Sequence, residues 1–99
     1  MSSRSDTLHC VVRSPRDGEA LTQALSMLRS GDVLLLMQDG VWAAFADDVH
    51  VPEGVEACVL MGDVLRRGLD PARIRGFKPV DEAGFVALAA RTSRQVCWA

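Results

Sequence analysis

Val33-Leu34-Leu35-Leu36-Met37 is an unbroken apolar run with no polar residue at alternate places. A strand with one wet face would alternate, so this run reads as a strand covered on both sides, as in a parallel sheet. Leu8 to Val12 reads as a first strand, closed by Ser14-Pro15 because proline drives its predecessor out of the helical region. Ala20, Leu21, Ala24, Leu25 and Leu28 then fall on one helical stripe. Asp17 is placed to cap that helix and Gly31 to stop it. Val55 to Met61 is a further apolar run, predicting a third strand. Asp63 is expected to cap one or two helical turns ending at Gly68. Asp70-Pro71 reads as another cap with proline at the first helical position. Gly76 to Val80 predicts a short fourth strand that tolerates Pro79 only at an edge or strand end. Asp81 caps a last helix carrying Phe85, Val86, Leu88 and Ala89, and Gln95-Val96-Cys97-Trp98 forms the tail. Strands alternating with helices imply a small α/β domain with a mostly parallel sheet of about four or five strands.

This order puts Gln38-Asp39-Gly40 just beyond the carboxyl end of a central strand, where open parallel sheets usually hold ligands. Asp39 is therefore a candidate functional residue. The alternative is structural: Asp39 caps the segment from Val41 while Gly40 allows a tight turn. No second acid, histidine or nucleophile is tied to Asp39 by spacing.

Ninety-nine residues, 48% of them hydrophobic, suit one packed domain. Residues 1–7 read as an amino-terminal extension ahead of a single domain over 8–99. No run approaches a membrane span, and the polar start lacks the apolar core of a signal peptide. A cytoplasmic location is expected, with reduced thiols at Cys10, Cys58 and Cys97. These cysteines have no metal-ligand spacing, and the chain has no glycine-rich phosphate loop, so neither a metal nor a cofactor is expected. The net charge of −2 is unevenly spread. Residues 31–63 carry seven acids and no lysine or arginine, whereas residues 64–99 carry seven bases against three acids. This predicts solvated faces of opposite sign, or a dipolar molecule that docks on complementary subunits. Direct nucleic-acid binding has little support without a basic stripe interleaved with aromatics.

Leu8-His9, Ser14-Pro15, Gly31-Asp32, the block "LLLMQDGV" with Ala43-Ala44, Asp63 with Arg67-Gly68-Leu69, Asp81 with Phe85-Val86, and Gln95 with Trp98 occur in an ordered series. Together they resemble the TusB/DsrH family over almost the whole chain. The resemblance implies a flavodoxin-like, DsrEFH-type subunit of a cytoplasmic sulfur-relay complex. It would assemble with TusC-like and TusD-like paralogues into a hetero-hexamer, and serve a TusE-like acceptor and 2-thiolation of the tRNA wobble uridine, meeting tRNA only indirectly. The family's sulfur-bearing cysteine lies on the TusD-type subunit, which makes this chain non-catalytic. DsrH-type members carry a cysteine in the first helix where this chain has Ala24, which favours the TusB branch. On this reading Asp39, Gly40 and Trp98 are family-signature positions that could lie at a subunit contact.

A sulfur carrier needs an accessible, ionisable thiol. Cys10 and Cys58 fall mid-strand and read as core residues; Cys97 is the least constrained. Cys58 and Cys97 remain candidates for a persulfide-carrying role of the DsrH type. His9 reads as a hydrogen-bonded core imidazole and His50 as exposed. Trp42, Phe45 and Trp98 are candidates either for the core or for anchoring an interface, the tail with Trp98 contributing to assembly.

Overall fold

The computed structural model describes residues 5–99. Its five strands are β1 (Ser5–Val11), β2 (Val33–Leu36), β3 (Glu56–Leu60), β4 (Lys78–Val80) and β5 (Thr92–Trp98). They form one sheet in the order β4-β3-β2-β1-β5, every neighbouring pair parallel. The helices are α1 (Ala20–Met27), α2 (Met61–Arg66) and α3 (Glu82–Arg91), with a 3-10 helix over Gln38–Phe45 and a single 3-10 turn at Pro71–Arg73. None is long and apolar enough to cross a membrane.

The unalternating apolar run is explained by the two layers that cover it. Leu34 and Leu36 face Val11, Ala24, Val41 and Val64, so α1, the 3-10 helix and α2 lie on that side. Val33 and Leu35 face Leu8, Cys10, Cys58 and Leu88, with α3 above them. All four β2 side chains are buried, and burying each leucine or valine contributes about 1.5–3 kcal/mol. Pro79 sits in β4, the edge strand, where its missing N–H interrupts no inner ladder.

Several boundaries differ from the sequence expectation. The first strand starts at Ser5, ahead of Leu8, because Ser5 and Thr7 pair with Thr92 and Arg94. Of the expected extension over 1–7, residues 1–4 lie outside the described residues. Asp17 does not cap α1: the helix begins at Ala20 after Gly18 at φ 108, Glu19 occupies the cap position, and Asp17 pairs with Arg13 at 3.5 Å. Gly31 does not end α1 either. The helix stops at Met27 because the Asp32 carboxylate accepts the Arg29 N–H at 3.0 Å and draws the chain into a separate turn. Asp70 and Asp81 do cap, accepting the N–H groups of Ala72 and Gly84 at 3.0 and 2.7 Å.

The tail is not a loose end but the second edge strand, paired with β1 throughout. Trp98 is half-buried, and its indole N–H donates to His9 Nδ1 at 3.1 Å. Indole is only a donor, so His9 Nδ1 must accept and its hydrogen sits on Nε2. That nitrogen meets Asp32 Oδ2 at 3.1 Å. His9 is thus the hydrogen-bonded core imidazole expected from its place, and His50 is exposed.

Trp98→Ala is expected to destabilise the protein by about 2–3 kcal/mol, below the range for a fully buried tryptophan. Trp98→Phe should cost about 1 kcal/mol, mainly the lost hydrogen bond. Urea unfolding of both variants checks this; a Trp98→Phe variant as stable as wild type would show that the indole N–H contributes nothing.

Candidate functional site

β2 ends at Leu36, and the chain makes three abrupt adjustments in the next four residues. Met37 is extended and donates its N–H to Val11 O at 3.0 Å. Gln38 then takes φ 51, the left-handed region, which costs a residue with a Cβ about 1–2 kcal/mol. Gly40 closes the turn, its N–H reaching Met37 O at 2.9 Å. A Cβ on Gly40 would stand 2.1 Å from the Val11 carbonyl oxygen, so only glycine fits this crossing of two backbones. Asp39 does not cap at Val41, because the 3-10 helix already starts at Gln38 and its cap residue is Met37.

The left-handed turn is held from outside. Asp63, expected as a helix cap, lies inside α2 and is buried. Its Oδ2 accepts the Gln38 N–H at 2.5 Å, and Oδ1 takes the Arg66 guanidinium. Burial pushes the Asp63 carboxyl up, but the Gln38 N–H and the guanidinium groups of Arg66 and Arg67 outweigh it and hold the group below its ordinary value. Arg67 also donates to Asp39 Oδ1 at 2.9 Å and to the Asp63 carbonyl at 3.2 Å. The Asp39–Arg67 pair is exposed, so its own contribution is under about 1 kcal/mol.

These contacts also overturn the expectation of two oppositely charged faces. Asp39–Arg67, Asp47–Arg75 and Glu56–Arg91 each join the acidic block to the basic one across the fold. The crossovers on the sheet bring the two halves of the chain side by side, so that three of the acids lie against bases of the other block.

What remains outward at this end is aromatic. A 3-10 helix has three residues per turn, so Asp39, Trp42 and Phe45 line up on one face, while Val41, Ala43 and Ala44 face the core. Trp42 is 45% exposed. With Ser14, Pro15, Arg16, Phe45 and Asp48 it borders an open cavity of about 680 Å³. Phe45 also borders a second hollow beside Arg73, Ile74 and Arg75.

The three thiols have different surroundings. Cys58 is fully buried, and burial together with the Glu56 carboxylate raises its pKa to about 11. Cys10 is also buried and raised to about 11, by burial first and then by Cys97. Cys97 is exposed. Ala24, where DsrH-type members would have a cysteine, is fully buried. Among the described residues no group of three or more His, Cys, Asp and Glu could hold a metal ion. Thus the structure joins Asp39 and Gly40 to Asp63 and Arg67, and leaves Trp98 elsewhere, on β5. Sequence spacing did not reveal the Gln38–Asp63 bond, since the partners are 25 residues apart and Asp63 resembled an ordinary cap.

Comparison with known proteins agrees with this architecture. A family model described as "DsrH like protein" matches residues 13–95. Protein TusB of Shigella flexneri is 35% identical over 97 residues, covering 92% of this chain and 99% of that relative. Protein TusB of Escherichia coli O1:K1 / APEC gives the same identity and coverage. The solution NMR structure of protein Tm0979 from Thermotoga maritima superposes with a TM-score of 0.70 at 17% identity, covering 85% of this chain and 91% of that one. At that identity it speaks for the fold alone.

Gly40→Ala is expected to cost about 1–3 kcal/mol or more through overpacking, whereas Gly62→Ala, inside α2 with nothing nearer than Arg66 Nη2 at 3.8 Å, should be neutral or stabilising by about 0.5–1 kcal/mol. Urea midpoints compare the two. Asp63→Asn should lose about 1.5–3 kcal/mol at neutral pH. Because the folded carboxyl is held low, that contribution is complete above the unfolded value of about 4 and fades as pH falls through the lower folded value. Unfolding curves from pH 7 to pH 2 should therefore converge for wild type and variant. A constant gap would refute the charge-based account.

Proposed function

The chain belongs to the TusB/DsrH family, and from that membership we propose that it is a TusB-like, non-catalytic subunit of a cytoplasmic sulfur-relay complex. The complex would contain TusC-like and TusD-like chains as a hetero-hexamer, pass sulfur to a TusE-like acceptor and support 2-thiolation of the tRNA wobble uridine. The observation that carries the non-catalytic role is the state of the two inner-strand thiols. Cys10 and Cys58 are buried with pKa values raised to about 11, so neither offers the accessible thiolate that accepts sulfur. The Gln38-Asp39-Gly40 turn is held rigidly by Asp63 and Arg67 and presents Trp42 outward. A fixed aromatic of this kind suits a subunit contact, where a single buried ring supplies much of the affinity. The half-exposed ring of Trp98 is a second anchor on the same reading. The exposure of Cys97 favours one alternative, a persulfide carried on that residue; the burial of Cys58 weighs against Cys58 in the same role.

Co-expression with TusC-like and TusD-like chains tests this, using wild type beside a Cys10→Ala/Cys58→Ala/Cys97→Ser variant. Native mass should give the same hexamer for both, and the variant complex should still transfer sulfur. Assembly with loss of transfer would make this chain a carrier. Trp42→Ala should weaken assembly by about 2 kcal/mol, or some thirtyfold, while leaving the isolated subunit's thermal midpoint unchanged.

A further inference from the structure

Cys10 and Cys97 stand opposite each other in the register of β1 and β5. Directly paired residues of parallel strands point to the same side of the sheet. Cys10 packs with Leu8, Leu35 and Leu88 on the α3 side, so Cys97 projects beside it on that side. Neighbouring strands lie about 4.8 Å apart, inside the Cα separation of about 4.4–6.8 Å that a disulfide spans. Cys58 does not compete. Leu35 stands between it and Cys10 in the ladder, which puts it two strands away, about 10 Å.

The two members differ in access. Cys97 is exposed and Cys10 is buried beside it. We propose that Cys10 and Cys97 are a peroxide-responsive dithiol pair, with Cys97 the sulfur that is oxidised and Cys10 the one that resolves it. The proposal goes beyond the assembly role and does not depend on it.

The chemistry needs a peroxide and nothing else. The Cys97 thiolate attacks the O–O bond, an S–O bond forms, and the other oxygen leaves as hydroxide or alkoxide. Cys97 is then a sulfenic acid, oxidised by two electrons while the peroxide is reduced. The Cys10 sulfur next attacks the Cys97 sulfur. The S–S bond forms, the S–O bond breaks, and the departing hydroxide takes the Cys10 proton and leaves as water. Burial and the raised pKa of Cys10 make it a poor first target, but held beside the sulfenic acid it needs no encounter in solution.

Geometry also makes the bond reversible. Side chains on paired parallel strands stay about as far apart as the strands, whereas disulfide Cβ atoms prefer about 3.5–4.5 Å. Closure therefore draws β5 towards β1, which an edge strand permits. A disulfide under such strain is readily reduced by a dithiol.

The test uses the full chain. The reduced protein is treated with equimolar hydrogen peroxide, alkylated, and analysed by intact mass and peptide mapping. Wild type should lose two hydrogens, show Cys10 joined to Cys97 within one chain, and return to the starting mass with dithiothreitol. Cys58→Ala should give an unchanged yield. Cys97→Ser should abolish the product, and in Cys10→Ala, given at least two equivalents of peroxide, the unresolved Cys97 should proceed to the sulfinic acid. The proposal is overturned if wild-type Cys97 becomes sulfinic or joins Cys97 of a second chain while Cys10 stays alkylatable after unfolding. It is equally overturned if neither thiol reacts.

Discussion

The start of β2, the end of α1 and the docking of β5 are organised around the buried Asp32 carboxylate. It accepts the Thr7 N–H of β1 at 3.2 Å, the Arg29 N–H of the turn after α1 at 3.0 Å, and the His9 imidazole at 3.1 Å. Through His9 it reaches the Trp98 indole. One charge thus fixes where α1 ends, how β1 enters the sheet, which tautomer His9 adopts, and where β5 docks. An unpaired buried carboxylate would be costly; with these partners it specifies one arrangement of four segments.

Asp63 does the corresponding work at the other end of β2. Asp32 immediately precedes the strand, and Asp63 accepts the first N–H of the 3-10 helix that follows it. The apolar run from Val33 to Leu36 supplies the burial, but apolar contact is not directional. The two carboxylates provide the direction. This is also why the Gln38-Asp39-Gly40 turn reads as architecture: strain at Gln38, the backbone crossing at Gly40 and the Asp63 hydrogen bond all serve to send the chain out of the sheet at one angle, leaving Trp42 facing outward.

Local patterns made much of this legible. The parallel sheet followed from the absence of alternation in β2, and the caps at Asp70 and Asp81 followed from their neighbours. The ordered motifs pointed to the right family. What stayed hidden was long-range. Asp63 has the same local appearance as Asp81, yet it is diverted to Gln38, 25 residues away, because this tertiary partner outcompeted the nearby helix N–H groups. The tail lacked a strong apolar run because β5 is an edge strand with much of its length exposed. The charge blocks misled for a related reason: their separation along the chain says nothing about crossovers that fold one onto the other.

The place of β5 has a consequence for synthesis. Among the described strands its partner β1 is made first and β5 last. While the carboxyl segment is still inside the ribosome, β1 is an open edge, and His9 lacks the indole that completes its hydrogen bonds. The fold can therefore close only once β5 has left the ribosome. Until then the newborn subunit exposes a strand that another chain could pair with.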